Sequence, residues 1–142
     1  MTTKLYLNQI YRLDEIIKNK REEIIQLEAM AESITVATDK ENVKSSGNKD
    51  KIGTAVAKIV DLQEEYLDIL NEFLEKRKTI ISQIENIEKI EFYNVLCRRY
   101  IQYKTFEEIA VEMDYSYRQI TRIHGNALQA FERKYGEKYK NM

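Results

Sequence analysis

Ile10, Ile17, Ile24 and Ala31 recur at every seventh position. Tyr6, Leu13, Leu27 and Ile34 form a second row with the same period, interrupted at Lys20. Apolar positions alternating at spacings of three and four make one stripe on a helix. The spacing predicts a helix over 4–34, ~46 Å long at 1.5 Å per residue. The pattern lapses across 35–50, "TVATDKENVKSSGNKD", where Ser45, Ser46, Gly47 and Asn48 favour turns. That stretch reads as an exposed connection. Periodicity returns over 51–90. Ile52, Ile59, Tyr66, Phe73, Ile80 and Ile87 lie seven apart, and Val56, Leu70 and Ile84 fall on a neighbouring row interrupted by Gln63 and Arg77. A second helix of up to ~60 Å follows from the same rise. Two striped helices cannot bury their stripes alone. The expectation for 1–90 is a long antiparallel, coiled-coil-like hairpin that also oligomerises, with a homodimer as the expected state. Pairing within the chain and pairing between chains would bury the same stripes.

From residue 91 the heptad rule ends and the signals become local. Thr105 is followed three residues later by Glu108, and Ser116 three residues later by Gln119. Both fit a capping box, in which the hydroxyl accepts a backbone N–H and the longer side chain reaches back. Helices are expected to start near Phe106 and Tyr117, the first ending around Met113 and leaving "DYS" as the turn. The preceding "EFYNVLCRRYIQY" supplies a third helix. Ile109 and Met113 offer apolar contacts, Ala110 is the small residue where backbones come close, and Tyr115 sits in the turn. Ile120, Ile123, Ala127 and Phe131 face back from the last helix.

At 100° per residue, Arg118 and Arg122 then lie on the outer side, with Gln129 farther along and Gln119 and Thr121 as flanks. Gly125 falls near the same face, where a missing side chain would admit a phosphate or base. Arg forks onto guanine, Gln pairs with adenine, and Thr bonds phosphate or touches a thymine methyl. The helix N-terminus favours phosphate. His124 projects about 40° from Ile120 and reads as a packing residue rather than a ligand.

Charge sharpens this division. Residues 1–97 carry 14 Lys/Arg against 18 Asp/Glu, whereas residues 98–142 carry 9 against 6. The C-terminal third is mildly basic. Arg133, Lys134, Lys138 and Lys140 form a basic tail with potential phosphate contacts. There is no proline and there are only 4 glycines, so long helices meet few interrupters. The single cysteine, Cys97, excludes an internal disulfide and a multi-cysteine zinc site, and its apolar surroundings predict a small buried core residue. One histidine and no glycine-rich loop leave no constellation for catalysis. No enzyme, metal or cofactor is expected. No apolar run is long enough for a signal peptide or membrane span, which predicts a cytoplasmic protein.

"TFEEIAVEMDYSYRQITRIHGNAL", residues 105–128, resembles region 4 of sigma-70-type transcription factors, whose helix-turn-helix binds the promoter −35 element. The likeness lies in Thr105 and the acidic pair Glu107–Glu108, the Ile109–Ala110 step, Ser116, and Ala127–Leu128. The wider layout resembles small phage and prophage regulators of Gram-positive bacteria, related to late-gene transcriptional activators. "YLNQIYRLDEII", "VAKIVDLQEEY" and "YSYRQITRIHGNAL" carry that likeness. The resemblance implies a sigma-70 region 4-like DNA-binding domain over 91–142 in a bacterial host cell. Its recognition-helix contacts would be Tyr117, Arg118, Gln119, Thr121 and Arg122. Asp114 stands where the family usually has a turn glycine, and Gly125 lies inside the proposed recognition helix. Nothing in 1–90 resembles the promoter-melting or main polymerase-binding regions, so an autonomous sigma factor is not expected.

The sequence thus predicts an all-α regulator that places its helix at 117–132 in the major groove of double-stranded promoter DNA. The alternatives are an adaptor that contacts RNA polymerase, and a phage structural or packaging component that oligomerises through the long helices.

Overall fold

The computed structural model describes residues 1–41 and 46–142, with the side chains of 35, 37–41 and 46–49 left aside. The described fold is all-helical. α1 spans Thr3–Glu41, α2 Ser46–Glu85, α3 Ile90–Leu96, α4 Phe106–Met113 and α5 Tyr117–Tyr135. A π-helical turn at Cys97–Ile101 continues α3, and a 3-10 turn at Gly136–Lys138 follows α5. Among the described residues no helix is long and apolar enough to cross a membrane.

Neither long helix keeps the bounds the heptads predict, and α2 ends at Glu85 rather than near residue 90. α1 continues to Glu41 and α2 begins at Ser46, so most of the expected 35–50 connection is helical. Its residues 42–45 lie outside the described residues. Without proline, and with glycine scarce, polar residues alone do not stop a helix.

Compactness divides the chain differently from a cut at residue 90. Met1–Leu13 belongs with Phe73–Met142, and Asp14–Glu72 forms the other unit. In the first unit the opening turns of α1 and the closing turns of α2 share a core with the C-terminal helices. Leu7, Ile10, Ile80, Ile84, Leu96 and Phe131 are essentially inaccessible there. The Tyr6 hydroxyl donates to Gln83 Oε1 at 2.7 Å. A second cluster joins Val95, Ile109, Ala110, Ile120 and Ile123.

Tyr139, beyond α5, is fully buried in the first cluster. Its ring stacks on Tyr6 with centroids 4.3 Å apart, and its hydroxyl bonds Thr3 Oγ1 at 2.8 Å. The Met1 ammonium donates to the carbonyls of Lys140 and Met142, both at 3.1 Å. The segment expected as a basic tail is therefore docked. Ala127, Phe131, Tyr135 and Tyr139 continue one apolar line at four-residue spacing. Cys97 is half-buried at the edge of this core rather than inside it.

In the unit Asp14–Glu72, Ile17 and Ile24 are the only buried residues among those described. Lys20 Nζ meets Glu65 Oε2 at 2.8 Å. Along α2 the half-buried row is Ala55, Leu62 and Ile69 beside Ile52, Ile59 and Tyr66. The neighbouring row expected from the sequence is turned away at Val56, which is 50% exposed, although Leu70 is half-buried and Ile84, farther along α2, is buried.

Candidate nucleic-acid interface

Two local motifs place α4 and α5. At the start of α4, Thr105 Oγ1 accepts from the Glu108 N–H at 3.2 Å, and Glu108 Oε1 accepts from the Thr105 N–H at 3.2 Å. At the start of α5, Ser116 Oγ accepts from the Gln119 N–H at 3.1 Å, and Gln119 Oε1 accepts from the Ser116 N–H at 2.8 Å. Each reciprocal pair satisfies two orphan donors and fixes where its helix begins.

α4 closes on Asp114, which adopts a left-handed backbone at φ 57° and ψ 46°. The Tyr115 N–H reaches back to Ala110 O at 2.9 Å and the Asp114 N–H to Val111 O at 3.3 Å. This is the paired hydrogen bonding of a Schellman motif, usually built on glycine. Aspartate enters the left-handed region more readily than most residues, so the turn forms without glycine. Tyr115 packs against the second core cluster and its hydroxyl donates to Glu91 Oε1 at 3.3 Å.

α5 is divided along its length. Ile120, Ile123, His124, Ala127 and Phe131 are buried, whereas Tyr117, Arg118, Gln119, Arg122, Gly125 and Gln129 are exposed. Arg118, Arg122, Gly125 and Gln129 follow one line on the outer side. Neither arginine side chain makes an ion pair among the described residues. Thr121 is half-buried, and its hydroxyl donates to Arg118 O at 2.9 Å, which engages it with its own helix. Gln119 has its carboxamide oxygen in the cap and its NH2 free to donate. The Tyr117 ring meets Phe106 edge to face at 6.3 Å. A Cβ at Gly125 would find open space, so no close packing in the fold requires this glycine.

His124 lies inside. Its Nε2 is 2.7 Å from the Tyr100 hydroxyl, and its ring is 4.8 Å from that of Phe106. Burial, with the charges of Lys4 and Arg99, lowers its pKa to about 4. Burial likewise raises Tyr100 to about 12. Both groups are neutral at pH 7 and share one buried hydrogen bond that ties α5 to the π-helical turn.

The segment before α4 is held by contacts with no short-range sequence signature. Arg98 Nε bonds Glu112 Oε2 at 3.1 Å, and Lys104 pairs with the other oxygen of the same carboxylate. Hydrogen bonding from Lys104 leads the effects that lower the Glu112 pKa. The Arg99 guanidinium lies 4.6 Å over Phe106 and donates to Lys104 O at 3.0 Å. Tyr103 takes φ 60°, a strained backbone for a bulky residue. These partners lie up to 14 residues apart in sequence, and helical periodicity does not reveal them.

The basic residues in the last turn of α5 and beyond it are mostly engaged with the protein. Lys140 pairs with Glu132 at 2.9 Å, Lys134 donates to Asn86 O at 2.6 Å, and Lys138 lies 5.5 Å over the Tyr135 ring. Arg133 is exposed. The sequence-expected contact residues therefore fall into a central line, Arg118, Arg122, Gly125 and Gln129, with Tyr117 and Gln119 beside it and Thr121 partly withdrawn. Comparison with protein families, curated proteins and solved structures finds no match to this chain.

Proposed function

We propose that this protein is a DNA-binding transcription regulator, of phage or prophage genes, that docks residues 117–132 in the major groove of promoter DNA. The reading rests on one observation above all. A capped helix with one buried face presents Arg118, Arg122, Gly125 and Gln129 along the other. Guanidinium groups on such a helix bond phosphates and the O6/N7 edge of guanine, and Gln129 suits adenine. At Gly125 nothing but backbone separates the helix from its ligand.

The test is a mobility-shift titration with promoter DNA from the gene's own neighbourhood. Arg118→Ala with Arg122→Ala should weaken binding by at least about 30-fold, taking ~1–3 kcal/mol per base-reading arginine. The slope of affinity against salt should flatten as well. Unchanged affinity in a double variant of normal helicity would sink this assignment.

One observation favours a second reading, an adaptor contacting RNA polymerase. Val111, on α4, is 82% exposed beside Glu107. An apolar side chain so exposed fits a protein partner better than a phosphate backbone. That adaptor should retain polymerase after nuclease treatment and lose it on Val111→Asp.

A further inference from the structure

α2 carries an apolar row that α1 leaves uncovered. Val56, Val60 and Leu67 are 50%, 45% and 55% exposed, and Ile25 on α1 is 47% exposed. Their relative placement follows from the Lys20–Glu65 contact. Residue 20 lies ~31 Å before the end of α1, and residue 65 lies ~28 Å beyond the start of α2. The link between the two helices spans at most ~18 Å. Contact between 20 and 65 therefore requires α1 and α2 to run antiparallel through this unit.

With 20 level with 65, Ile25 is level with Val60, and Lys18 with Leu67. Ile25, Val60 and Leu67 each follow an inward residue (Ile24, Ile59, Tyr66) by ~100° of helix rotation. In antiparallel helices facing one another, that rotation leads to the same side of the pair. One side of residues 14–72 is thus partly apolar, while α2 shows Thr54, Lys58 and Glu65 on the other.

Charge on the apolar side is ordered. Exposed Lys18 and Arg21 precede Ile25 on α1, and exposed Glu28 and Glu32 follow it. Lys18 has half-buried Asp14 and exposed Glu15 at 3.7 and 3.6 Å, but these are long intrahelical contacts of small weight. Arg21, Glu28 and Glu32 make no ion pair among the described residues. The order is self-complementary about Ile25, as a twofold interface between identical chains demands.

We propose that residues 14–72 associate with a second copy of this chain, antiparallel, through this side, with the twofold axis passing near Ile25 and Val60. Lys18 and Arg21 of one copy then meet Glu32 and Glu28 of the other. Leu67 of one copy lies over Gly53 of the other, where there is open space around the glycine. The four helices enclose a core that Ile17 and Ile24 only begin to form in one copy. The surface lies outside α4 and α5, so this proposal and the DNA-binding reading stand or fall separately.

The test is sedimentation equilibrium of the full chain at micromolar concentrations. The wild type should be a dimer, and Val60→Asp with Leu67→Asp a monomer of unchanged helicity by circular dichroism. Lys18→Glu with Arg21→Glu makes these four positions of the α1 edge all acidic, and Glu28→Lys with Glu32→Lys makes them all basic. Each variant alone should self-associate at least about tenfold more weakly, and their equimolar mixture should form a heterodimer. Heterodimer formation would also show that both variants are folded. A monomeric wild type, a dimer indifferent to the aspartates, or a mixture no tighter than its components would overturn the proposal.

Discussion

The two compact units use the same helices to different effect. Every fully buried side chain among the described residues, from Leu7 to Tyr139, belongs to residues 1–13 and 73–142. Residues 14–72 contribute only Ile17 and Ile24, which keep 8% and 9% of their exposure. In the first unit the long helices meet short ones, so an apolar side chain is enclosed from several directions. In the second, within one copy and among the described residues, each helix has one neighbour and its flanks stay exposed. The same heptad pattern therefore yields a core in one region and a seam in the other.

The largest expected effect tests that contrast directly. Phe131→Ala, in the first unit, should cost ~3–5 kcal/mol in urea unfolding, because it empties a fully enclosed site. Ile24→Ala, in the second, should cost only ~2 kcal/mol, the low end for a buried isoleucine, since water reaches the flanks of the site. Equal losses would break the comparison.

His124 separates the units by pH. Its folded pKa of about 4 lies below the ordinary value of 6.5. Between the two, the unfolded chain binds a proton that the folded chain refuses. The stabilisation is therefore complete above pH 6.5 and is lost as pH falls toward 4. Unfolding at pH 7 and pH 4.5 should show the wild type losing about 2 kcal/mol more than His124→Gln. An identical acid response in the variant would mean that the Tyr100–His124 pair is not closed to solvent.

Amide exchange sharpens the picture without mutation. Within α1, residues 14–32 should exchange faster than residues 6–13, which share the enclosed core. The smallest effect belongs to the outer face of α5. Gly125→Ala should raise stability by ~0.5–1 kcal/mol, since glycine is a poor helix former and the added Cβ meets nothing. Under the proposed function the same change weakens DNA binding, so stability and affinity should move in opposite directions. A loss of stability would mean that the fold itself needs this glycine.

What was legible in the sequence follows the range of the forces. The starts of α4 and α5 were readable because a capping box closes over three residues. The inward row of α1 was readable because its side chains repeat with the helix. The packing role of His124 followed from its angle to Ile120, though its partner Tyr100 did not. Along α2 the row from Ile52 to Ile80 was readable in the same way, but the second inward row, Ala55, Leu62 and Ile69, was hidden, because Val56 and Leu62 are equally apolar and only the neighbouring helix selects between them. The carboxylate of Glu112, shared by Arg98 and Lys104, was hidden by its sequence separations.

The sequence by itself determined that this chain is helical, where α4 and α5 begin, and which side of α5 turns inward. Those features rest on backbone bonds and side-chain spacings within one or two helical turns. Only the tertiary structure decided that Tyr139 closes the core against Thr3 and Tyr6, and that most of the basic side chains from the last turn of α5 onward are held by other residues. It also decided that the ends of the long helices belong with the short ones. The closure by Tyr139 depends on contacts between residues more than a hundred positions apart, and the others on partners that are chosen by shape and charge once the helices meet.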